Sequence, residues 1–223
     1  MRCTFHLSTC IAGGLMLAAA LTLTGCSASI GEAEPAAPSS NKAETNAAIL
    51  RSSLDCLLRE HVVLTLAATD AALGGRNDEY TAAANALDAN SHQLAAALGS
   101  VWGKDTQDSF YTLWSKHLSF IIDYTQGVLA NDDAKKTTAI NNLITWTQDM
   151  GAFMETASGG HLKKNDVTDL MKTHISGIKS VIDAQAQKDY ATAFEEERDA
   201  EHHMENVGNA IADAMVDQYP DRY

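Results

Sequence analysis

From residue 46 to residue 219 apolar residues recur three and four apart with polar residues between them, the period of an amphipathic helix. Leu50, Leu54, Leu57, Leu58, Leu64 and Ala68 form one such stripe, and Tyr80, Ala84, Leu87, Leu94 and Leu98 a second. Ile140, Leu143, Met150 and Met154 form another, as do Phe194, Val207 and Ile211. The three prolines, Pro35, Pro38 and Pro220, all lie outside this stretch, so nothing in it breaks a helix by removing a backbone donor. Turn chemistry interrupts the periodicity at Gly74-Gly75-Arg76-Asn77, Asn131-Asp132-Asp133 and Lys188-Asp189. It does so again at Gly99-Ser100-Val101-Trp102-Gly103 and at Ser158-Gly159-Gly160, after which Asp105, with Asp108 behind it, and Asn165 are suited to start helices. The pattern predicts six helices, over 46–73, 78–99, 106–130, 133–156, 166–187 and 190–216. The expected fold class is all-α.

The chain also repeats itself. Leu57-Leu58-Arg59-Glu60-His61 returns as Leu113-Trp114-Ser115-Lys116-His117 and as Leu170-Met171-Lys172-Thr173-His174, with histidines 56 and 57 residues apart. Each copy is followed by about a dozen helical residues, a turn and a second helix, which predicts three tandem αα-hairpins at about 46–103, 104–160 and 161–219. Each histidine falls within the apolar stripe of its helix and is expected to point into the core. Thirty residues beyond them stand Ser91, Thr147 and Met204, with His203 beside the last. Each pair is symmetric about a predicted turn, so its members are expected at one height in an antiparallel hairpin. The core is thereby expected to hold a polar layer made of His61, His117, His174, Ser91, Thr147 and either His203 or Met204.

Such a layer has two readings. Buried neutral histidines bonded to hydroxyls or carboxylates fix helix register without further function. Alternatively, imidazoles brought together from several helices suit a transition metal, copper or zinc. The candidate metal ligands are then His61, His117, His174 and His203, with Met204 and Met171, whose thioethers favour Cu(I). Glu197, near an inward stripe, is a candidate to neutralise a histidine or touch the metal. Spacing alone leaves open whether the histidines converge on one point or lie in three separate hairpin cores. His92, His161 and His202 are expected on the surface. No Glu-x-x-His pair of a di-iron bundle, haem-attachment motif, nucleophile elbow, phosphate loop or zinc-protease helix is present. No catalytic residue is assigned, and the chain reads as a binding or structural module rather than an enzyme.

The Leu-x-x-x-His hairpins, the Glu-Arg-Asp-Ala-x-x-His-Met stretch from Glu197 to Met204 and the tail Gln218-Tyr219-Pro220-Asp221 resemble a group of exported bacterial helical proteins. Members of that group often carry a label mentioning copper amine oxidase. The resemblance spans about residues 50–223 and implies the three-hairpin fold. It matches His61, His117, His174 and His203 to recurring positions of the group and adds little about chemistry. Copper amine oxidases themselves are β-rich enzymes, and nothing in this chain resembles their fold.

The N-terminus adds a location. Arg2, the apolar run from Ile11 to Leu23 and the small residues before Cys26 have the layout of a secretory signal, and Leu23-Thr24-Gly25-Cys26 looks like a bacterial lipobox. Residues 1–25 are expected to be cleaved, Cys26 to carry acyl chains, and residues 26–45 to form a flexible tether. The domain would then be lipid-anchored to the cell membrane or outer membrane on its extracytoplasmic side. Cleavage removes Arg2 and takes the net charge of −13 to −14, which disfavours nucleic acid and anionic lipid as partners. The remaining partners are the membrane through its lipid, a metal ion and an envelope protein. With Cys26 lipidated and Cys3 and Cys10 removed, Cys56 is expected to be a small buried hydrophobe with no disulfide.

Overall fold

A computed structural model describes residues 45–223. The expectations for the signal segment, the lipidated Cys26 and nearly all of the tether lie outside the described residues. The described chain forms six helices, α1 Asn46–Leu73, α2 Asn77–Trp102, α3 Lys104–Leu129, α4 Asp133–Ala157, α5 Lys164–Gln187 and α6 Tyr190–Gln218. All six expected helices are present, and most ends agree within two residues. The largest difference is at α2, which runs on through Gly99 to Trp102 and stops only at Gly103, whose φ of 91° is closed to most other residues. Gly99 is therefore no helix terminator; its missing side chain makes room for Gln107 of α3. The third hairpin begins at Lys163 rather than Asn165, without a side-chain cap.

One turn design closes each hairpin. Gly75, Asn131 and Lys188 adopt φ values of 67°, 53° and 59°, and each stands fourteen residues beyond a repeated histidine. The next amide reaches back to Ala71, Gly127 or Ala184, while the left-handed residue's own amide bonds Ala72, Val128 or Gln185. This paired bonding is the Schellman arrangement, which satisfies carbonyls that a helix end leaves without partners. Asp132 and Asp189 then cap the following helices through their carboxylates.

The odd-numbered helices form the inside of the bundle. α1, α3 and α5 touch one another, whereas α2 packs between α1 and α3, α4 between α3 and α5, and α6 between α5 and α1. The contact of α6 with α1 closes the ring. It is drawn tight at Gly208, where any Cβ would collide with Asp55 Oδ1, and is flanked by Arg51 on Asn209 and Asp213 and by Arg59 on Glu201 and Glu205. Because the ring is closed, α1 is buried over a broad arc that includes Leu54, Leu57, Leu58, Val62 and Leu66.

Two single-residue expectations fail. Phe194 is 65 % exposed, since the inward arc of α6 is set by Ala193, Ala200, Met204 and Val207. Cys56 is only half-buried, on the flank of α1, rather than a core residue. No helix among the described residues is long and apolar enough to cross a membrane.

Candidate metal centre

Each inner helix carries one repeated histidine. With three inner helices around one axis and the hairpins in the same register, His61, His117 and His174 meet. All three are fully buried, and one ring nitrogen from each lies within 4.8 Å of the other two. His61 Nε2 and His117 Nε2 are 3.4 Å apart. The ring centroids are separated by 5.3 Å (His61–His117), 5.6 Å (His61–His174) and 6.0 Å (His117–His174).

Register is fixed by a device that also recurs three times. The outer helix of each hairpin sends one donor to the carbonyl four residues before the histidine. Asn90 Nδ2 bonds Leu57 O at 2.9 Å, Trp146 Nε1 bonds Leu113 O at 2.8 Å and His203 Nε2 bonds Leu170 O at 2.8 Å. A carbonyl has two lone pairs, so it accepts this bond in addition to the one within its helix. His203 thus occupies the structural position held by Asn90 and Trp146 in the other hairpins. Its Nε2 is engaged with a backbone carbonyl, and it is not a member of the histidine cluster.

The cluster is electrically neutral and poorly satisfied. Burial pushes all three histidines well below the ordinary imidazole range, His174 to about 3, because a charged ring would lose its hydration. The neighbouring imidazoles add to the effect on His61 and His117. His117 Nδ1 contacts the Trp114 carbonyl. If it donates there, as a neutral ring must to make that bond, the lone pair of His117 sits on Nε2, aimed at His61. His61 Nδ1 and both ring nitrogens of His174 have no hydrogen-bond partner. A buried polar atom left this way costs about 1–3 kcal/mol.

Tryptophans enclose the cluster. Trp114 has its ring centroid 4.8 Å from that of His61, 4.5 Å from His117 and 6.5 Å from His174, and its Nε1 has no partner. Trp146 stacks on His117 with centroids 4.4 Å apart. Neither the two tryptophans nor Asn90 stands out as a site residue in the sequence. The available signal was the constant spacing of 33 residues from Leu57, Leu113 and Leu170 to their donors.

The other expected site residues are placed as follows. Ser91 and Thr147 are buried, but their hydroxyls bond carbonyls of their own helices, Leu87 and Ile144. Met204 is fully buried. Met171 is buried too and lines a small apolar cavity with Leu58, Leu94, Phe110, Trp114 and Met150. Glu197 is half-buried and its carboxyl is raised by burial and by Glu201, so its charged neighbour is an acid and not a histidine. His92 is exposed and stacks on Tyr111, and His161 and His202 are also exposed.

No protein-family model, curated protein or solved structure matches this chain.

Proposed function

We propose that this protein is a membrane-anchored lipoprotein whose helical domain holds a single transition-metal ion on His61, His117 and His174. The observation that carries the reading is the convergence of three neutral, fully buried imidazoles from three separate hairpins, with nitrogens within 4.8 Å of one another and three ring nitrogens unpartnered. Three imidazoles on one ion at about 2.0–2.1 Å would stand roughly 3.3–3.6 Å apart, and the 3.4 Å between His61 and His117 already meets that spacing. Depressed pKa values keep the lone pairs available at neutral pH.

Copper(I) is the first choice and zinc(II) the second. The cluster contains no carboxylate, so the ion's charge is not neutralised by its ligands, and the cost of burying charge grows with its square. A monovalent ion content with three soft-to-intermediate ligands fits this better than a dication that prefers a fourth. The indole of Trp114 beside the three rings offers a cation a π face. Met171 and Met204 are retained as candidate neighbours, on the softness of sulfur. The proposed role is binding or storage, with anchoring through lipid on Cys26.

A second reading is favoured by the packing of the rings on Trp114 and Trp146: the histidines are core architecture in a structural or partner-binding envelope module. Titration of a lipid-free chain of residues 41–223 with Cu(I), Cu(II) and Zn(II) separates the two. The metal reading expects one tightly bound ion, lost in the His61→Ala/His117→Ala/His174→Ala variant and in the volume-conserving His174→Phe variant. Absence of stoichiometric binding to the folded wild-type chain sinks it.

A further inference from the structure

A fully buried metal site needs a way in, and the two sides of the histidine layer differ. Towards the helix ends near residues 102 and 162, the space beside Trp114 is a cavity of only about 20 Å³ lined by Leu58, Leu94, Phe110, Met150 and Met171. Towards the hairpin turns, a half-open cleft of about 300 Å³ separates α2 from α1 and α3. Small side chains line part of it, Ala84 on α2 and Ala68 and Ala72 on α1. Its lining includes Thr65 and Leu118, four and one positions beyond His61 and His117. Thr65 is therefore about 6 Å along the helix axis from the histidine layer, little more than one turn.

The lining is not uniformly apolar. Thr65, Thr69 and Thr125 are buried and all line the cleft. Thr65 and Thr125 donate their hydroxyl protons to the backbone carbonyls of His61 and Ile121, and Thr69 shares its proton between Leu66 O at 3.1 Å and Gln185 Oε1 at 3.0 Å. Their oxygen lone pairs consequently remain as acceptors. Asn77, Asp88 and Gln126 border the same cleft, and Asp88 is exposed. An acidic protein of net charge −13 with a carboxylate at the mouth gathers cations, and the buried hydroxyls below replace part of a cation's hydration shell on its way inward.

We propose that this cleft is the entry and exit path of the ion held by His61, His117 and His174, with Thr65 as the last polar stop before the histidines. The proposal rests on the metal reading above. Its test is the rate of exchange rather than the affinity. In the full-length protein in detergent, Cu(I) uptake is followed by stopped-flow quenching of tryptophan fluorescence, and release by transfer to a chelator. The Ala72→Phe/Ala84→Phe variant fills the cleft. It is expected to slow uptake and release at least ten-fold, with stoichiometry and Kd unchanged and a melting temperature no lower than wild type. Thr65→Val, which keeps the shape and removes the hydroxyl, is expected to slow both several-fold and covers the case in which the double variant fails to fold. Ser109→Phe, at an exposed shallow depression lined by Asp108, Thr112 and Lys116, should leave the rates unchanged. Wild-type rates in the plugged or Thr65→Val protein with metal still bound overturn the path alone, as does an equal slowing by Ser109→Phe. A wild-type protein that takes up no metal overturns the path and the metal reading together.

Discussion

Acidification of the metal-free protein should unfold it far above the pH at which surface carboxylates titrate. His61, His117 and His174 are held neutral by burial in the folded state, whereas in the unfolded chain each takes a proton near pH 6.5. The unfolded state therefore binds more protons, and stability falls as pH falls from about 6.5 towards the folded-state values, about 3 for His174. Each histidine contributes a loss of about 1.4 kcal/mol per pH unit in that window, so the three together remove about 6 kcal/mol between pH 7 and pH 5. That is comparable with the whole stability of a typical domain, about 5–15 kcal/mol. Asp55 and Glu197 act in the opposite sense: burial raises their carboxyls, so the folded state gains protons from them on acidification. Asp133 and Asp189 are lowered from a carboxylate value of 3.8 and matter only below this window. The assay is urea unfolding followed by circular dichroism at pH 7, 6 and 5 in the presence of a chelator. His174→Gln should remove about a third of the slope. A change of less than about 2 kcal/mol between pH 7 and pH 5 would mean that the histidines protonate inside the folded bundle, and the neutral cluster would have to be abandoned.

Replacing His203 by Gln should preserve both stability and metal stoichiometry, because an amide can donate to Leu170 O as Asn90 does to Leu57 O. His203→Ala and Asn90→Ala should each cost about 1–3 kcal/mol in denaturant unfolding, and loss of metal in His203→Gln would restore it as a ligand. Gly208→Val should destabilise by more than about 2 kcal/mol, since the added side chain meets Asp55 and Leu58 where α6 closes on α1; an unchanged melting temperature would contradict that contact. Lys188→Gly should stabilise by about 0.5–1 kcal/mol, because Lys188 pays for a φ of 59° that glycine adopts without strain, and calorimetry reads it directly. Cys26→Ala should move the protein from the membrane to the soluble fraction on cell fractionation; continued membrane recovery counts against lipid anchoring.

Helices and turns were legible because they are local: the apolar period, the absence of proline and the residues at Gly75 and Asn131 settle them within a few positions. Lys188 was less obvious as a left-handed residue, and only its place in the repeat gives it away. That the histidines point inward was legible from Leu57, Leu113 and Leu170 on the same face. Their convergence was not. It depends on α1, α3 and α5 being the inner helices, which in turn depends on α6 returning to α1, a contact between segments about 150 residues apart. The register donors escaped notice for a different reason. Asn90, Trp146 and His203 share a geometry and no chemistry beyond an N–H, so a comparison of residue types cannot align them. Phe194 was misread because a large apolar residue near a stripe is counted as core, whereas α6 turns it outward and seats Ala193 instead.

The closure of α6 on α1 also brings the two ends of the domain together, with Asn46 Nδ2 donating to the carbonyl of Arg222 at 3.0 Å. A short peptide could join them, and the chain could then be reopened at either connection between hairpins, near residue 103 or near residue 160, without disturbing a single helix. Such circular permutants should assemble the same histidine centre from a different order of segments. The same geometry sets an upper limit on length: unlike an open solenoid, this arrangement has no vacant edge on which a fourth hairpin could be stacked.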